Sequence, residues 1–314
     1  GTPIKVEYFT NQLRGKKKLA VLETLSEGKI HIAVGTHALL SDDIIFKNLG
    51  VVVIDEQHRF GVEQRAKLKN KTSNGETPDT LVMTATPIPR TSAMTVFGDL
   101  DITILNELPP GRTPISTTWY DMEPELSDPQ TQPWPVVIEE LKKGRQAFIV
   151  CPLVEESEKM QAASAKETRD NLVAGALRGY KVGLIHGQQK PAERDEIMKA
   201  FKDGEIDAVV ATTVIEVGVN VPNATMIVIL DSIRFGMSQL HQLRGRVGRG
   251  AYASQCVLIG RGKSSDSRER MQALVGSTDG FKLSEIDLKL RGHGSVFGTN
   301  QSGVSDLKVA DLRT

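Results

Sequence analysis

The sequence predicts an α/β protein built on mostly parallel sheets. Short runs of consecutive apolar residues recur along the chain, and charged stretches with helical periodicity lie between them. Strands that are apolar at every position are typical of a parallel sheet that is covered on both faces. The predicted strands are 30–34, 51–54, 81–83, 147–150, 182–185, 208–211, 226–230 and 257–259. The predicted helices include 17–26, 192–201 and 238–243.

Composition excludes several classes of protein. Lys and Arg total 39, as do Asp and Glu, so the zero net charge excludes a generally basic nucleic-acid coat but leaves room for a local basic track. Cys151 and Cys256 have no Cys-x-x-Cys neighbour, which argues against a zinc ribbon or a disulfide scaffold and favours a reducing compartment. Neither a long apolar run nor a signal peptide is visible, and the chain begins in the middle of a pattern. We therefore expect a cytoplasmic protein and a fragment of a longer chain.

Changes of composition predict three domains. The Pro/Gly-rich stretch Leu108–Pro114 is typical of a linker, and the proline-rich stretch 121–135 predicts a loop or an insertion. After Gly260 the apolar runs stop, and two helices are predicted at 267–276 and 283–290. The 314 residues are enough for two domains with an appendage. The predicted boundaries are 1–113, 114–262 and 263–314.

A weak internal repeat links the two larger domains. Residues 28–36 align with residues 204–212 at an offset of 176, with four identical positions of nine. Each copy follows a charged helix and ends in a strand that is followed by Thr. This pattern indicates a duplicated α/β domain with equivalent sites at strand ends, or a chance likeness between two buried strands.

An acidic motif follows one predicted strand. The apolar run Val51–Ile54 leads directly into Asp55, Glu56, Gln57 and His58. The carboxyl ends of parallel strands face the ligand crevice. An Asp there can hold Mg²⁺, and an adjacent Glu can orient a water for attack. An ordinary strand-ending turn with solvated acids is the alternative.

Hydroxyl residues follow two other predicted strands. Thr84 and Thr86 flank Ala85 before Pro87, and Thr212 and Thr213 follow the strand 208–211. Such hydroxyls could couple a carboxylate site to a moving element, or hold a phosphodiester backbone. A plain strand followed by a turn is the alternative for the first pair.

An arginine motif lies in residues 239–250. Arg244, Arg246 and Arg249 are interspersed with glycines, which let the backbone approach a ligand closely. The planar guanidinium matches phosphate oxygens, so the motif is typical of an arginine finger. A solvated basic turn or a nucleic-acid backbone contact remains the alternative. No phosphate-binding G-x-x-x-x-G-K-[ST] loop is present, because Gly262-Lys263-Ser264 has Val257 where the first Gly is needed.

Together these motifs resemble the helicases of superfamily two, and in detail the bacterial RecG family. The stretches that carry the resemblance are 55–65, 83–91, 214–219, 239–250, 279–292 and 298–303. The resemblance covers essentially the whole chain. It implies two RecA-like parallel-sheet domains, the first incomplete at its N-terminus, followed by a helical hairpin and a loop.

The resemblance also implies an activity. It implies an ATP-dependent DNA helicase or translocase that remodels branched DNA, such as replication forks and Holliday junctions, in recombination and repair. Its cofactors would be ATP and Mg²⁺. Its partners would be branched DNA and single-stranded DNA-binding protein. A monomer associated with the bacterial nucleoid, without contact to a membrane, would be expected.

Roles carry over from the family to matching positions. Asp55 would hold Mg²⁺ and Glu56 would act as general base, while Gln57 and His58 would couple that site to Thr84 and Thr86. The remaining nucleotide contacts would come from Gly218, Gln242, Arg246 and Arg249. The DNA contacts would come from Thr36, His186, Gly187, Thr212 and Thr213. In the hairpin and the loop, Arg270 and Gln301 would turn motor motion into duplex translocation.

Some features depart from the family. The phosphate-binding loop and the wedge domain are not in this sequence, so we expect a truncated motor region with little ATPase activity alone. Asn220 replaces the usual Asp, and His293 lies where the family has Pro. Two alternatives stay open: a transcription–repair coupling translocase, and a non-catalytic DNA-binding module with a degenerate motor.

Overall fold

The computed structural model divides into two compact units. The first contains the described residues up to Thr84, and the second contains those from Asp101 onward. The structure describes residues 3–10, 13–41, 43–55, 71, 77–84, 101–105, 114–152, 158–212 and 220–291. In that part of the chain, no helix is long and apolar enough to cross a membrane.

The first unit contains two pairs of parallel strands. β1 pairs with β2, and β3 pairs with β4. A small core of Phe9, Leu25, Ile30 and Ile44 lies beneath the first pair and α1. The elements are β1 (Val6–Phe9), α1 (Gly15–Ser26), β2 (Ile32–Gly35), a 3₁₀ helix (His37–Leu40), β3 (Val51–Ile54) and β4 (Asp79–Val82).

The second unit is built on a six-stranded sheet in which all strands are parallel. Its strand order is β5-β10-β9-β6-β8-β7. The predicted α/β class is therefore confirmed. The strands are β5 (Ile115–Tyr120), β6 (Gln146–Val150), β7 (Val182–Ile185), β8 (Ala208–Ala211), β9 (Ala224–Ile229) and β10 (Ser254–Ile259).

Helices cover both faces of this sheet, as consecutive apolar residues in its strands require. In β6, Phe148 and Val150 pack into one core cluster, while Ala147 and Ile149 pack into the other. α2 and α3 contribute to the second cluster, and α4 to α7 contribute to the first. The helices are α2 (Trp134–Lys142), α3 (Glu158–Ala174), α4 (Pro191–Lys202), α5 (Met237–Arg244), α6 (Ser265–Gly276) and α7 (Gly280–Arg291).

The structure corrects two expectations about secondary structure and burial. The proline-rich stretch 121–135 is not entirely a loop, because α2 begins at Trp134, whose side chain is fully buried. Pro135 is compatible with this start, since the first turn of a helix needs no donor from it. The strands of the first unit are not fully buried: Val51 and Val53 are 62% and 57% exposed. Their apolar runs resemble those of the second unit, but the described residues do not cover both faces.

The internal repeat is confirmed as a structural repeat. The set β1-α1-β2 and the set β7-α4-β8 have equal lengths, and each element lies 176 positions before its counterpart, as with Val6 and Val182. Gly28 and Gly204 follow the two helices at positive φ, 75° and 80°. The strands pair in the same parallel way. Chance likeness between two strands does not explain agreement over three successive elements.

Candidate nucleotide and DNA sites

The carboxyl edge of the second sheet gathers three predicted DNA contacts. His186 and Gly187 follow β7, and Thr212 follows β8. These strands are neighbours, with Ile185 opposite Ala211. The sheet therefore brings together the ends of two segments that are distant in sequence.

The side chain of Gln189, which belongs to none of the sequence motifs, holds the turn after β7. Gln189 Oε1 accepts a hydrogen bond from the His186 backbone N–H, and Gln189 Nε2 donates to the Leu184 carbonyl, both at 3.0 Å. Gly187 is exposed at the tip. Gln189 thus fixes the backbone that would meet a phosphate. The only signal in the sequence is a glutamine three residues after His186.

Thr212 is less accessible than expected. Its backbone N–H donates to the Ile185 carbonyl at 3.2 Å, and the residue is only 1% exposed. Its hydroxyl is shielded from solvent in this structure. Thr213 lies outside the described residues. The DNA roles of both threonines stay predictions.

In the first unit, Thr36 occupies the position equivalent to Thr212. It follows β2, is exposed, and accepts a hydrogen bond from the Leu39 N–H at 3.0 Å through its carbonyl. The parallel pairing sets Phe9 opposite Gly35. Thr10, which directly follows β1, therefore lies at the same edge as Thr36.

Asp55 and Thr84 lie at the carboxyl ends of neighbouring strands. Ile54 pairs with Val82, and the Met83 N–H donates to the Ile54 carbonyl at 2.8 Å. Both Asp55 and Thr84 are exposed. The structure thus brings the first residue of the acidic motif and the first residue of the hydroxyl motif to one edge. Several other predicted site residues lie outside the described residues: Glu56, Gln57, His58, Thr86, Gly218 and Gln301.

The fit of a magnesium ion rests on Asp55. Within the described ranges, no group of three His, Cys, Asp or Glu side chains gathers around a common point. A magnesium ion that travels with a nucleotide needs only one or two carboxylates, since phosphates and waters complete its shell. A single carboxylate at a strand end therefore fits such an ion.

The arginine loop, residues 245–253, lies at the opposite, amino edge of the second sheet. It connects α5 with β10, whose first residue, Ser254, pairs with Ile115 at the start of β5. Gly248 has φ of 74°, and a Cβ on Gly250 would lie 2.3 Å from the Pro222 carbonyl oxygen. Both positions therefore require glycine.

The predicted nucleotide contacts surround this loop. Arg246 and Arg249 are partly buried, and Arg249 Nε donates to the Gly245 carbonyl at 3.4 Å. Gln242 lies in the last turn of α5 and is also partly buried. The loop thus presents two guanidinium groups from a backbone with little freedom.

Arg244 has a different role from the other two arginines of the motif. It is 3% exposed, and its Nη1 donates to the carbonyls of Leu274 and Ser277, both at 2.8 Å. It thereby fixes the end of α6 to the end of α5. The spacing of Met237, Leu240 and Arg244 could have indicated this, because those positions share one helix face.

His241 accompanies Arg244. Arg244 Nη2 lies 2.9 Å from His241 Nδ1, which accepts because a guanidinium can only donate. Burial and the adjacent positive charge lower the pKa of His241 to about 4. Burial also lowers the pKa of Arg244. Near pH 7 the imidazole of His241 is therefore neutral, and the guanidinium of Arg244 is charged.

The helical hairpin α6–α7 packs within the second unit, against α5. Leu274 and Leu283 are buried in the same cluster as Leu240 and Leu243 of α5. Arg270 lies on α6 and is partly buried. The hairpin is therefore joined to the helix that leads into the arginine loop.

Gly262-Lys263-Ser264 does not form a phosphate cradle. Ser264 Oγ accepts from the Ser267 N–H, and Ser267 Oγ accepts from the Ser264 N–H, both at 3.1 Å. This capping box occupies the backbone N–H groups of Ser264 and Ser267. That this segment binds no phosphate stays a prediction.

Comparisons with known proteins agree with the order of these motifs. Residues 2–95 match the DEAD/DEAH box helicase model, and residues 133–251 match the helicase conserved C-terminal domain. Residues 277–314 match the C-terminal part of domain 3 of the ATP-dependent DNA helicase RecG. The third match includes α7 and the segment after it.

Curated relatives are similar along almost the whole chain. The ATP-dependent DNA helicase RecG of Bacillus subtilis is 50% identical over 98% of this chain and 44% of its own length. The RecG of Streptococcus pneumoniae is 47% identical over 98% of this chain and 45% of its own length. The chain therefore spans less than half the length of these relatives.

Solved structures of a RecG and of another protein are also similar to this chain. A RecG bound to a three-way DNA junction is 40% identical, with a TM-score of 0.71, and the match covers 94% of this chain and 37% of that one. The yeast protein Dbp5 bound to RNA matches at 15% identity and a TM-score of 0.57, over 92% of this chain and 73% of that one, which shows a shared fold alone. These neighbours support the RecA-like helicase fold.

Proposed function

Because the chain belongs to the RecG family of helicases over the segment that it spans, we propose that it is the motor region of an ATP-dependent DNA translocase. In this proposal the complete protein remodels branched DNA, including replication forks and Holliday junctions, in recombination and repair. The relative bound to a three-way junction supports the class of DNA. The bacterial cytoplasm, at the nucleoid, is the proposed location.

One observation carries the proposal. The predicted DNA contacts His186 and Gly187 lie at the carboxyl edge of the second sheet, whereas Arg246 and Arg249 lie at its amino edge. One rigid sheet can therefore hold a DNA backbone at one edge while its other edge reaches a nucleotide.

Residues of each unit would have their own roles in the nucleotide chemistry. Asp55 would hold Mg²⁺, which supplies positive charge to the phosphates, and Glu56 would orient the attacking water. Arg246 and Arg249 would stabilise the charge that develops on the transferred phosphoryl group. Thr84, at the same edge as Asp55, would sense the nucleotide and transmit its state.

The hairpin would receive the motion through a buried contact. Arg244 joins α5 to the carbonyls at the end of α6. A displacement of the arginine loop is therefore passed to the hairpin that contains Arg270. Gln301 would follow in the translocation loop. Single-stranded DNA-binding protein is a proposed partner, and the proposed state is monomeric.

The 314-residue chain alone is expected to hydrolyse little ATP, because its sequence contains no G-x-x-x-x-G-K-[ST] loop. The test compares this chain with one extended at its N-terminus by the segment that precedes the match in the Bacillus subtilis relative. ATP hydrolysis is measured with and without forked DNA. We expect DNA-stimulated turnover in the extended chain and its loss in the Asp55→Asn variant.

Two outcomes would contradict this view. Turnover by the 314-residue chain would show that it holds phosphate without the missing loop. If neither chain hydrolyses ATP but both still bind DNA, the non-catalytic DNA-binding module would be favoured.

A further inference from the structure

Three segments meet at the amino edge of the second sheet. Residues 143–146 lead from α2 into β6, residues 221–223 lead into β9, and residues 250–253 end the arginine loop before β10. The strands that they enter are neighbours, with Gln146 opposite Ala224 and Gln255 opposite Met226. The sheet thus brings two other turns next to the arginine loop.

An aromatic contact holds the exposed end of the arginine loop. Residues 251–253 are exposed, and Tyr252 itself is 48% exposed. The guanidinium carbon of Arg145 nevertheless lies 3.2 Å from the centroid of the Tyr252 ring. A guanidinium over an aromatic ring is attracted by the negative face of that ring. Arg145 therefore contacts the loop three residues after Arg249.

Arg145 is itself held by Asn223. Arg145 Nη1 donates a hydrogen bond to Asn223 Oδ1 at 3.4 Å. Asn223 Nδ2 donates to the Gly144 carbonyl at 2.9 Å and to Gln146 Oε1 at 3.1 Å. The amide of Asn223 thus bridges the guanidinium of Arg145 and the start of β6.

Gln146 anchors this network in the core of the second unit. The residue is 3% exposed, and its Nε2 donates to the carbonyls of Phe201 and Ile206. Its Oε1 accepts from Asn223. A buried amide oxygen without a hydrogen bond is costly, so this acceptor keeps Asn223 in place. The network therefore connects the sheet with Arg145 and, through Arg145, with the arginine loop.

The sheet needs only the inner part of this network. Gln146 and Asn223 satisfy each other's polar groups, and β10 begins its pairing with β5 at Ser254, after the loop has ended. The stack of Arg145 on Tyr252 therefore constrains the arginine loop and not the strands. Such a constraint matters near a reaction, since a misplacement of about 1 Å can lower the rate about a hundredfold.

We propose that Arg145 and Tyr252 are positioning residues, and that their stack holds the arginine loop so that Arg246 and Arg249 meet the transferred phosphoryl group in one geometry. The inference rests on the proposed function. Neither Arg145 nor Tyr252 is among the proposed nucleotide contacts, so both act through the loop. Because the two loop arginines would stabilise the transition state, loss of the stack should lower kcat and leave the KM for ATP nearly unchanged.

Two measurements test the inference. The first is ATP hydrolysis by the N-terminally extended chain with forked DNA, which gives kcat and KM. The second is limited digestion of the 314-residue chain by trypsin, followed by mass spectrometry of the fragments. It gives the rate of cleavage after Arg246 and Arg249, and this rate follows the population in which the loop is open.

The variants remove the stack from each side. Arg145→Met removes the cation, and Tyr252→Leu removes the ring. Tyr252→Phe keeps the ring and is the conservative variant that should restore normal behaviour. The matched control is Arg178→Met, which removes an exposed arginine between α3 and β7 of the same unit.

For Arg145→Met and Tyr252→Leu we expect kcat to fall about tenfold to a hundredfold, with the KM for ATP changed by less than about twofold. Trypsin cleavage after Arg246 and Arg249 should become about threefold to tenfold faster. The double variant should lose no more than the more affected single variant, because both substitutions remove the same contact. Tyr252→Phe and Arg178→Met should behave like the unaltered chain.

The outcomes separate this inference from the proposed function. Unchanged kcat or unchanged cleavage in Arg145→Met and Tyr252→Leu would overturn the inference and leave the function standing. Additive losses in the double variant, or a lower urea midpoint with kcat unchanged, would reveal separate structural effects and also overturn it. An extended chain that hydrolyses no ATP would overturn the function and the catalytic part of the inference, even if the cleavage rates change as expected.

Discussion

Replacing Arg244 by Met should loosen the hairpin without touching the proposed nucleotide contacts. Arg244 donates two hydrogen bonds to the carbonyls of Leu274 and Ser277. Hydrogen bonds from a charged donor contribute about 1.5–3 kcal/mol each. Removing the guanidinium also removes its desolvation cost, which offsets part of this sum. The net loss of unfolding free energy should therefore be about 3 kcal/mol.

Tryptophan fluorescence isolates the second unit for this measurement. The chain has two tryptophans, Trp119 and Trp134, and both lie in the second unit. Trp119 Nε1 donates to the Gly260 carbonyl at 2.9 Å, near the start of α6. Unfolding by urea, followed at these indoles, gives the free energy of this unit alone. Such isolation matters because a chain of two units need not unfold in a single transition.

The control is Arg234→Met. Arg234 lies on the surface of the same unit, and its Nε is 3.9 Å from an Asp231 carboxylate oxygen. Loss of an exposed ion pair should cost less than about 1 kcal/mol. If Arg244→Met costs no more than Arg234→Met, the hydrogen bonds to α6 do not hold the hairpin, and the reasoning fails.

Two further predictions concern His241 and Gln189. In the folded protein His241 has a pKa of about 4, below its usual 6.5. Between these pH values the unfolded chain binds more protons than the folded one, so the free energy of unfolding should fall as the pH drops. The expected loss is roughly 2 kcal/mol after solvent screening. Urea unfolding at pH 7 and pH 4 should show this loss, and His241→Gln should reduce it. Gln189→Met should weaken binding to forked DNA by about threefold to tenfold through loss of a hydrogen bond that orders the turn. Gln188→Met, an exposed neighbour, should bind normally, and equal losses in both variants would refute the role of Gln189.

Sequence patterns predicted the central strands of the second sheet, because a strand that is buried on both faces is apolar at consecutive positions. β6, β8 and β9 are buried at every position. β5 was missed, since an edge strand has fewer neighbours and its sequence, Ile115 to Tyr120, mixes hydroxyls with apolar residues. β1, α2 and α3 were missed as well.

The motifs of the candidate site were predictable from the sequence, but the different roles of the residues within a motif were not. Composition treats the three arginines of residues 239–250 alike, whereas the fold buries Arg244 and leaves Arg246 and Arg249 partly accessible. Which arginine faces the core depends on the phase of α5. No sequence pattern indicates the role of Gln189, because that role depends on which backbone atoms the folded turn places within hydrogen-bond distance of its side chain.

The zero net charge of the chain conceals a local difference between the two copies of the repeat. In α4 the first turn contains Glu193 and the last turn contains two lysines. In α1, at the same place in the repeat, the first turn contains three lysines and no acid. Acids stabilise the positive amino end of a helix, so Glu193 stabilises α4, whereas α1 has no such stabilisation. Equal element lengths and equal strand pairing in the two copies therefore do not imply equal stability.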